Sequence, residues 1–170
     1  KVKTKVNAPA TWAESIAAAK KQANSEMQRT CLPVVSQVIK AKTAAVPFTA
    51  DVTGLEEMVL YTWGTVDGTN DDQAVWANAK LIAADGSSIW LNDLKDTFKN
   101  TGSGRLRFNE NAKGQTVIMR GKQYRRTIMA NANSQIVVPL NKRYVRFEAE
   151  IGLENRSSSG TAVFRLQGIT

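Results

Sequence analysis

Asp67, Asn70, Asp71 and Asp72 place four oxygen-bearing side chains within six residues. Hard oxygen donors at that density suit Ca2+, although the spacing is not that of an EF-hand loop and no glutamate stands at its twelfth position. An ordinary acidic loop accounts for the same residues. Arg120, Lys122, Arg125 and Arg126 form the densest basic group. A guanidinium meets a carboxylate or sulfate through two parallel hydrogen bonds, so this group suits an acidic ligand, or else a solvated strand face. Trp12, Trp63, Trp76 and Trp90 offer flat apolar rings, and Gln73, Asn131 and Asn133 offer planar amides that both donate and accept. Flat rings can stack on an apolar ligand face, and planar amides can hydrogen-bond a polar one. Core packing for the rings and turn formation for the asparagines are the competing explanations.

Other chemistry is excluded more firmly. The chain contains no histidine and one cysteine, Cys31. A Ser-His-Asp triad, a histidine-based zinc site and a histidine general base are therefore absent. Cys31 has no partner for an internal disulfide and no histidine to make it a thiolate, so it reads as a small apolar residue. A glycosidase would have to run on two carboxylates about 5 to 10 Å apart across a concave site, and the sequence displays no such pair, so an enzyme is not expected. The net charge of +8 favours a polyanionic partner, but the basic residues are spread among acidic and polar ones, and a nucleic-acid partner is not expected. No apolar run approaches the roughly 18 to 20 residues that span a bilayer, so membrane insertion is not expected either.

These residues must be held by folded elements. At 170 residues the chain is long enough for one full-sized core. It opens at Lys1 without an apolar stretch of signal-peptide type, as expected of a chain whose leader has been removed or of a piece of a longer protein. Thr11 and Glu14 have capping-box spacing, and Trp12, Ile16, Ala19, Ala23 and Met27 recur at helical steps. Pro33 interrupts this pattern, Val34 to Ala45 suits a second helix, and Pro47 ends it. The spacing thus predicts an N-terminal helical segment over residues 1–46.

From Pro47 the period becomes two. Met58, Leu60 and Thr62 alternate with Val59, Tyr61 and Trp63; Val145, Phe147, Ala149 and Ile151 alternate with Tyr144, Arg146, Glu148 and Glu150; Ala162, Phe164 and Leu166 alternate with Val163, Arg165 and Gln167. Shorter strands are predicted at Phe48–Val52, Ala74–Ala83, Ser88–Leu91, Arg105–Phe108, Thr116–Met119, Gln123–Met129 and Gln135–Leu140. Turn residues fall between them, at Asp67-Gly68, Asp85-Gly86, Lys113-Gly114 and Arg120-Gly121 among others. Many short strands without intervening helices predict a mainly β domain, a sandwich or jelly roll, over residues 47–170.

Within that part, Asp67-Gly68, Asp72-Gln73-Ala74-Val75-Trp76, Ala79-Lys80-Leu81, Asp85-Gly86-Ser87 and Leu91-Asn92-Asp93-Leu94 follow one another. Later come Gly121-Lys122-Gln123-Tyr124, Ile128, Asn131-Ala132-Asn133-Ser134, Leu140, Tyr144-Val145-Arg146-Phe147, Ile151-Gly152, Gly160, Phe164 and Gly168. In order and spacing this series, over residues 55 to 169, resembles the NPCBM domain, also classed as carbohydrate-binding module family 51. The family has histidines where Gln73 and Asn131 stand, a second aspartate where Val75 stands, and a glycine where Thr127 stands.

The resemblance implies a jelly-roll β-sandwich like the galactose-binding domains, with sugar held by loops at one edge. It implies a non-catalytic module in a secreted bacterial glycan-degrading protein, periplasmic or at the cell surface, accompanying the other domains of a glycoside hydrolase. The ligand would be a galactose-type or acidic sugar. Trp76, Gln73, Asn131, Asn133 and Arg126 are the candidate sugar contacts, and Asp67, Asn70, Asp71 and Asp72 the candidate ligands of a structural calcium. The alternative is a sandwich that no longer binds sugar and serves as a scaffold or protein-interaction domain.

Overall fold

The computed structural model describes Ile16 and residues 33–65, 73–102, 105–157 and 159–170. In chain order the described strands are β1 (Val34–Val35), β2 (Ile39–Lys40), β3 (Val46–Asp51), β4 (Glu57–Gly64), β5 (Gln73–Ala83), β6 (Ser88–Trp90), β7 (Lys99–Asn100), β8 (Arg107–Phe108), β9 (Val117–Met119), β10 (Lys122–Tyr124), β11 (Thr127–Asn131), β12 (Ser134–Pro139), β13 (Tyr144–Leu153) and β14 (Thr161–Ile169). A 3-10 helix, Leu91–Thr97, lies between β6 and β7.

Alternation organises these strands into two layers. β13 turns Phe147, Ala149 and Ile151 inward, and leaves Glu148 and Glu150 half-exposed on the other face. β14 does the same with Ala162, Phe164 and Leu166. One sheet runs β1-β14-β4-β12-β7, with β2 also on β14; the other runs β3-β13-β5-β11-β8, with β6 also on β5. The described pairings are antiparallel. The apolar faces of the two sheets meet in one core, centred on Trp76, Phe48, Phe147 and Phe164. This is a β-sandwich. Among the described residues, no helix is long and apolar enough to cross a membrane.

β5 is buried on its other face as well. β9 and β10 form a hairpin closed by Arg120 and Gly121, with φ of 44° and 79°. Both central residues are left-handed, as a two-residue type I′ turn requires. The hairpin lays Val117, Met119 and Tyr124 over Val75, Ala77 and Met129 and makes a second, smaller core on the outside of the sheet. Beyond it, β5 bulges. Ala77 pairs with Glu150 and Lys80 with Glu148, so residues 78 and 79 face one residue of β13, and Asn78 takes a φ of 47°. Asparagine tolerates this conformation better than most residues. The bulge restores the inward phase at Ala79 and Leu81 and opens a step in the outer face at Asn78.

Three sequence expectations need correction. The helical segment expected over residues 1–46 is not what the described residues show. Ile16 is helical, but Val34–Val35 and Ile39–Lys40 are short strands paired with β14, so no second helix forms over Val34 to Ala45. Val34, Val35, Val38 and Ile39 are β-branched and fit a sheet edge better than a helix interior. The chain divides into two units, residues 1–31 and 32–170, and these edge strands belong to the second. The capping box and the rest of the Trp12–Met27 face lie outside the described residues. Next, Gln123–Met129 is two strands, broken at Arg125-Arg126 where the chain leaves the covering hairpin and enters the sheet. Finally, the strand expected at Ser88–Leu91 ends at Trp90, and Leu91 opens the 3-10 helix.

Candidate functional site

β5 and β11 run antiparallel and bring Gln73 directly opposite Asn131. The two amides therefore sit side by side at one end of the sandwich, on neighbouring strands but 58 positions apart in sequence. Asn131 is exposed and Gln73 half-buried. The backbone of Gln73 is fixed from two sides: its N–H donates to Ser157 Oγ at 3.2 Å, and its carbonyl accepts from the Glu154 N–H at 2.9 Å. Its side-chain Oε1 is buried without a hydrogen-bond partner among the described residues. Asn133 lies in the short link from β11 to β12, exposed, and its Oδ1 accepts from the Gly64 N–H at 3.1 Å. Gln73, Asn131 and Asn133 thus share one edge.

A concavity of about 460 Å³ opens near this edge, lined by Asn111, Gln115, Thr116, Ile118, Glu154, Asn155 and Arg156. Two of its polar side chains, Asn111 and Glu154, are committed to the loops that form it. Asn111 Oδ1 accepts from the N–H groups of Lys113 and Gln115, at 2.9 and 3.0 Å. Glu154, only 2% exposed, accepts from Asn111 Nδ2 at 3.3 Å and from the Arg156 N–H at 2.9 Å. Among the described residues no aromatic ring lines it.

Trp76 is not at the edge. It is fully buried, with Phe48, Phe147 and Phe164 packed edge-to-face around it at 5.2, 6.0 and 5.0 Å between ring centres. An indole enclosed on all sides cannot offer a face to a sugar, so its place among the sugar contacts is corrected to the core. Arg126 is apart from the amides too. It precedes β11, whereas Asn131 ends it, a separation of roughly 17 Å at about 3.3 Å per residue. The five candidate contacts therefore do not form one pocket. Asp67, Asn70, Asp71 and Asp72 lie outside the described residues. Among the described residues no three Asp, Glu, His or Cys side chains converge as metal ligands, so the implied calcium finds no such cage there.

Arg126 instead stacks on Trp90, its guanidinium carbon 4.4 Å from the ring centre. Trp90 is half-buried at the end of β6, outside the core that competes as an explanation for the tryptophans. The signal that placed it there was Ile89, which packs on the core and so turns its neighbour outward. Trp90 pairs with Lys80 across β6 and β5 and walls a groove of about 330 Å³ floored by Asn78, Lys80, Glu148, Ala149 and Glu150. A second ring pair, Tyr61 and Trp63 with centres 5.3 Å apart, lies half-buried on the outer face of the other sheet, with Arg165 5.5 Å from each ring.

The groove also bears on catalysis. Glu148 and Glu150 stand two residues apart on one strand face, about 6 to 7 Å by strand rise, a separation that suits a carboxylate pair. The partners of Glu148 do not suit the role. Arg146, donating to Glu148 at 2.7 Å, and then Lys80 at 3.5 Å hold the Glu148 carboxyl below the usual carboxylate range. Glu150 accepts from Asn78 Nδ2 at 2.9 Å and faces Lys122 at 3.5–3.6 Å together with the Tyr124 hydroxyl. A general acid needs its proton held up to neutral pH, and the partners of Glu148 act in the opposite direction.

A family model described as the NPCBM/NEW2 domain matches residues 32–82 and 87–168. No curated protein and no solved structure matches the chain.

Proposed function

The chain belongs to the NPCBM/NEW2 domain family, and from that membership we propose that it is a non-catalytic carbohydrate-binding module that holds a galactose-type sugar at the Gln73–Asn131 edge. The observation that carries this reading is the pairing of Gln73 with Asn131 beside Asn133. Three neutral amides at one rim supply donors and acceptors, which match the vicinal hydroxyls of a pyranose without a charge to desolvate. The jelly-roll form of the sandwich belongs to this proposal. So do a secreted, periplasmic or cell-surface setting and an association with glycoside hydrolase domains.

Titration of the protein with galactosides, followed by amide chemical shifts, tests it. Shifts should concentrate at Gln73, Asn131 and Asn133, and Asn131→Ala should weaken binding at least fivefold while leaving the fold intact. A glycan array on which no sugar is retained would sink the proposal and leave a sandwich acting as a scaffold or a protein-interaction domain.

A further inference from the structure

The basic hairpin and the Trp90 groove occupy the same outer face of the β5 sheet, and the Gln73–Asn131 edge absorbs neither. Charge pairing on this face is uneven. Glu148 is matched by Lys80 and Arg146, and Glu150 by Lys122, so the two floor carboxylates are compensated. Arg120, Arg125 and Arg126 are exposed and have no carboxylate partner among the described residues. Of these, Arg126 is held in place. Its guanidinium lies over Trp90 and its carbonyl accepts from the Asn78 N–H at 2.8 Å, so the bulge in β5 fixes where the arginine begins.

A guanidinium stacked on a ring keeps its N–H edge free and in plane, the geometry that grips a carboxylate or sulfate with two bonds. Below it, Trp90 gives the groove an apolar wall. Asn78 spends one amide proton on Glu150 and retains an acceptor oxygen for a hydroxyl. A neutral ring with one anionic substituent fits this arrangement: ring in the groove, anion at the rim. A polyphosphate chain fits it less well, because successive phosphates would run over Glu148 and Glu150.

We infer that the Trp90–Arg126 groove is a second ligand site, separate from the amide edge, and that it takes an anionic sugar, a pyranose carrying a carboxylate or sulfate group. That the ligand is a sugar at all rests on the carbohydrate-binding reading of the family; its charge and its place rest on the groove. The volume of about 330 Å³ is at the small end of ligand pockets, suited to one or two rings.

Calorimetric titration of the whole chain with oligogalacturonate, a sulfated galacto-oligosaccharide and a neutral galacto-oligosaccharide tests the inference, using Trp90→Ala, Trp90→Phe, Arg126→Gln and Asn131→Ala. Binding of an anionic sugar should fall at least tenfold in Arg126→Gln and Trp90→Ala, survive in Trp90→Phe, and be unchanged in Asn131→Ala. Whichever anionic sugar binds identifies the substituent. Neutral-sugar binding should be indifferent to Arg126. Anionic binding that follows Asn131 and ignores Trp90 and Arg126 would overturn the groove while leaving the edge in place. Trp90-dependent anionic binding without any neutral binding would overturn the edge and keep the groove. Anionic binding that weakens steeply with salt and equally in all variants would be polyelectrolyte attraction and would also overturn it.

Discussion

Replacing Trp76 separates core from binding site most sharply. The side chain is fully buried and touched edge-to-face by three phenylalanines. A tryptophan buries about 150–250 Å², worth about 4–6 kcal/mol at roughly 25 cal/mol per Å², and measured Trp→Ala costs in cores run about 3–5 kcal/mol. Trp76→Ala should therefore cost about 4–5 kcal/mol, a large share of the roughly 5–15 kcal/mol a domain has. Trp76→Phe is a finer probe. It removes about 1 kcal/mol of apolar transfer free energy and leaves a void of about 40 Å³, worth about 1 kcal/mol more at roughly 24 cal/mol per Å³. It also removes an indole N–H that is buried without an acceptor, a group whose isolation costs about 1–3 kcal/mol. The losses and the gain offset, so Trp76→Phe should lie within about 1 kcal/mol of the parent. Urea unfolding followed by far-UV circular dichroism reads both, with the m-value checking that each remains two-state. Sugar affinity in Trp76→Phe should equal that of the parent. An unchanged urea midpoint in Trp76→Ala together with a loss of sugar affinity would refute the reasoning, because the ring would then be working at the surface.

Two further predictions concern the interior. Thr62 and Ser134 are paired across β4 and β12, both buried, and their hydroxyls bond to each other. Thr62→Val should cost about 1–3 kcal/mol by stranding Ser134 Oγ, and adding Ser134→Ala should restore most of it; additive urea midpoints would argue against the bond. Tyr124 sits on the inner side of the hairpin, 4% exposed, and burial, followed by the nearby Glu150 charge, raises its phenol above the ordinary value of about 10. Its contribution to stability is then complete below the ordinary phenol range and lost as pH rises through the higher folded-state value. Tyr124→Phe should remove that alkaline loss. Parallel decline of the two proteins in urea midpoints taken from about pH 9 to about pH 11.5 would count against it.

Some of this was visible in residue order and some was not, for physical reasons. Tyr144 to Ile151 alternates cleanly because one face of β13 meets the core and the other carries Glu148 and Glu150 in reach of water. Val34, Val35 and Ile39 misled because their strands are short edge pieces, stabilised by pairing with residues 161–166 rather than by a local pattern. Distant pairing also hid the Gln73–Asn131 contact, which depends on the β5–β11 register. Only the family resemblance had linked those positions, as the places of its two histidines.

The two tryptophans show where local pattern fails. Ala74, Val75, Trp76 and Ala77 are all buried, since the sandwich takes one face of β5 and the β9–β10 hairpin the other. Such a strand has no alternation, so its residues look alike whether they point into the core or toward a covering hairpin. Trp76 fell to the core side. Trp90 ends a three-residue strand that pairs with β5 beyond the bulge, where the hairpin no longer covers the sheet. The bulge at Asn78 is therefore what makes the groove. It ends the covered stretch, brings the amide of Asn78 to Glu150, and anchors the Arg126 carbonyl that sets the guanidinium on Trp90. Sequence shows this only as an asparagine between two alanines. The turn-forming tendency of that residue is the local trace of a feature that three strands complete.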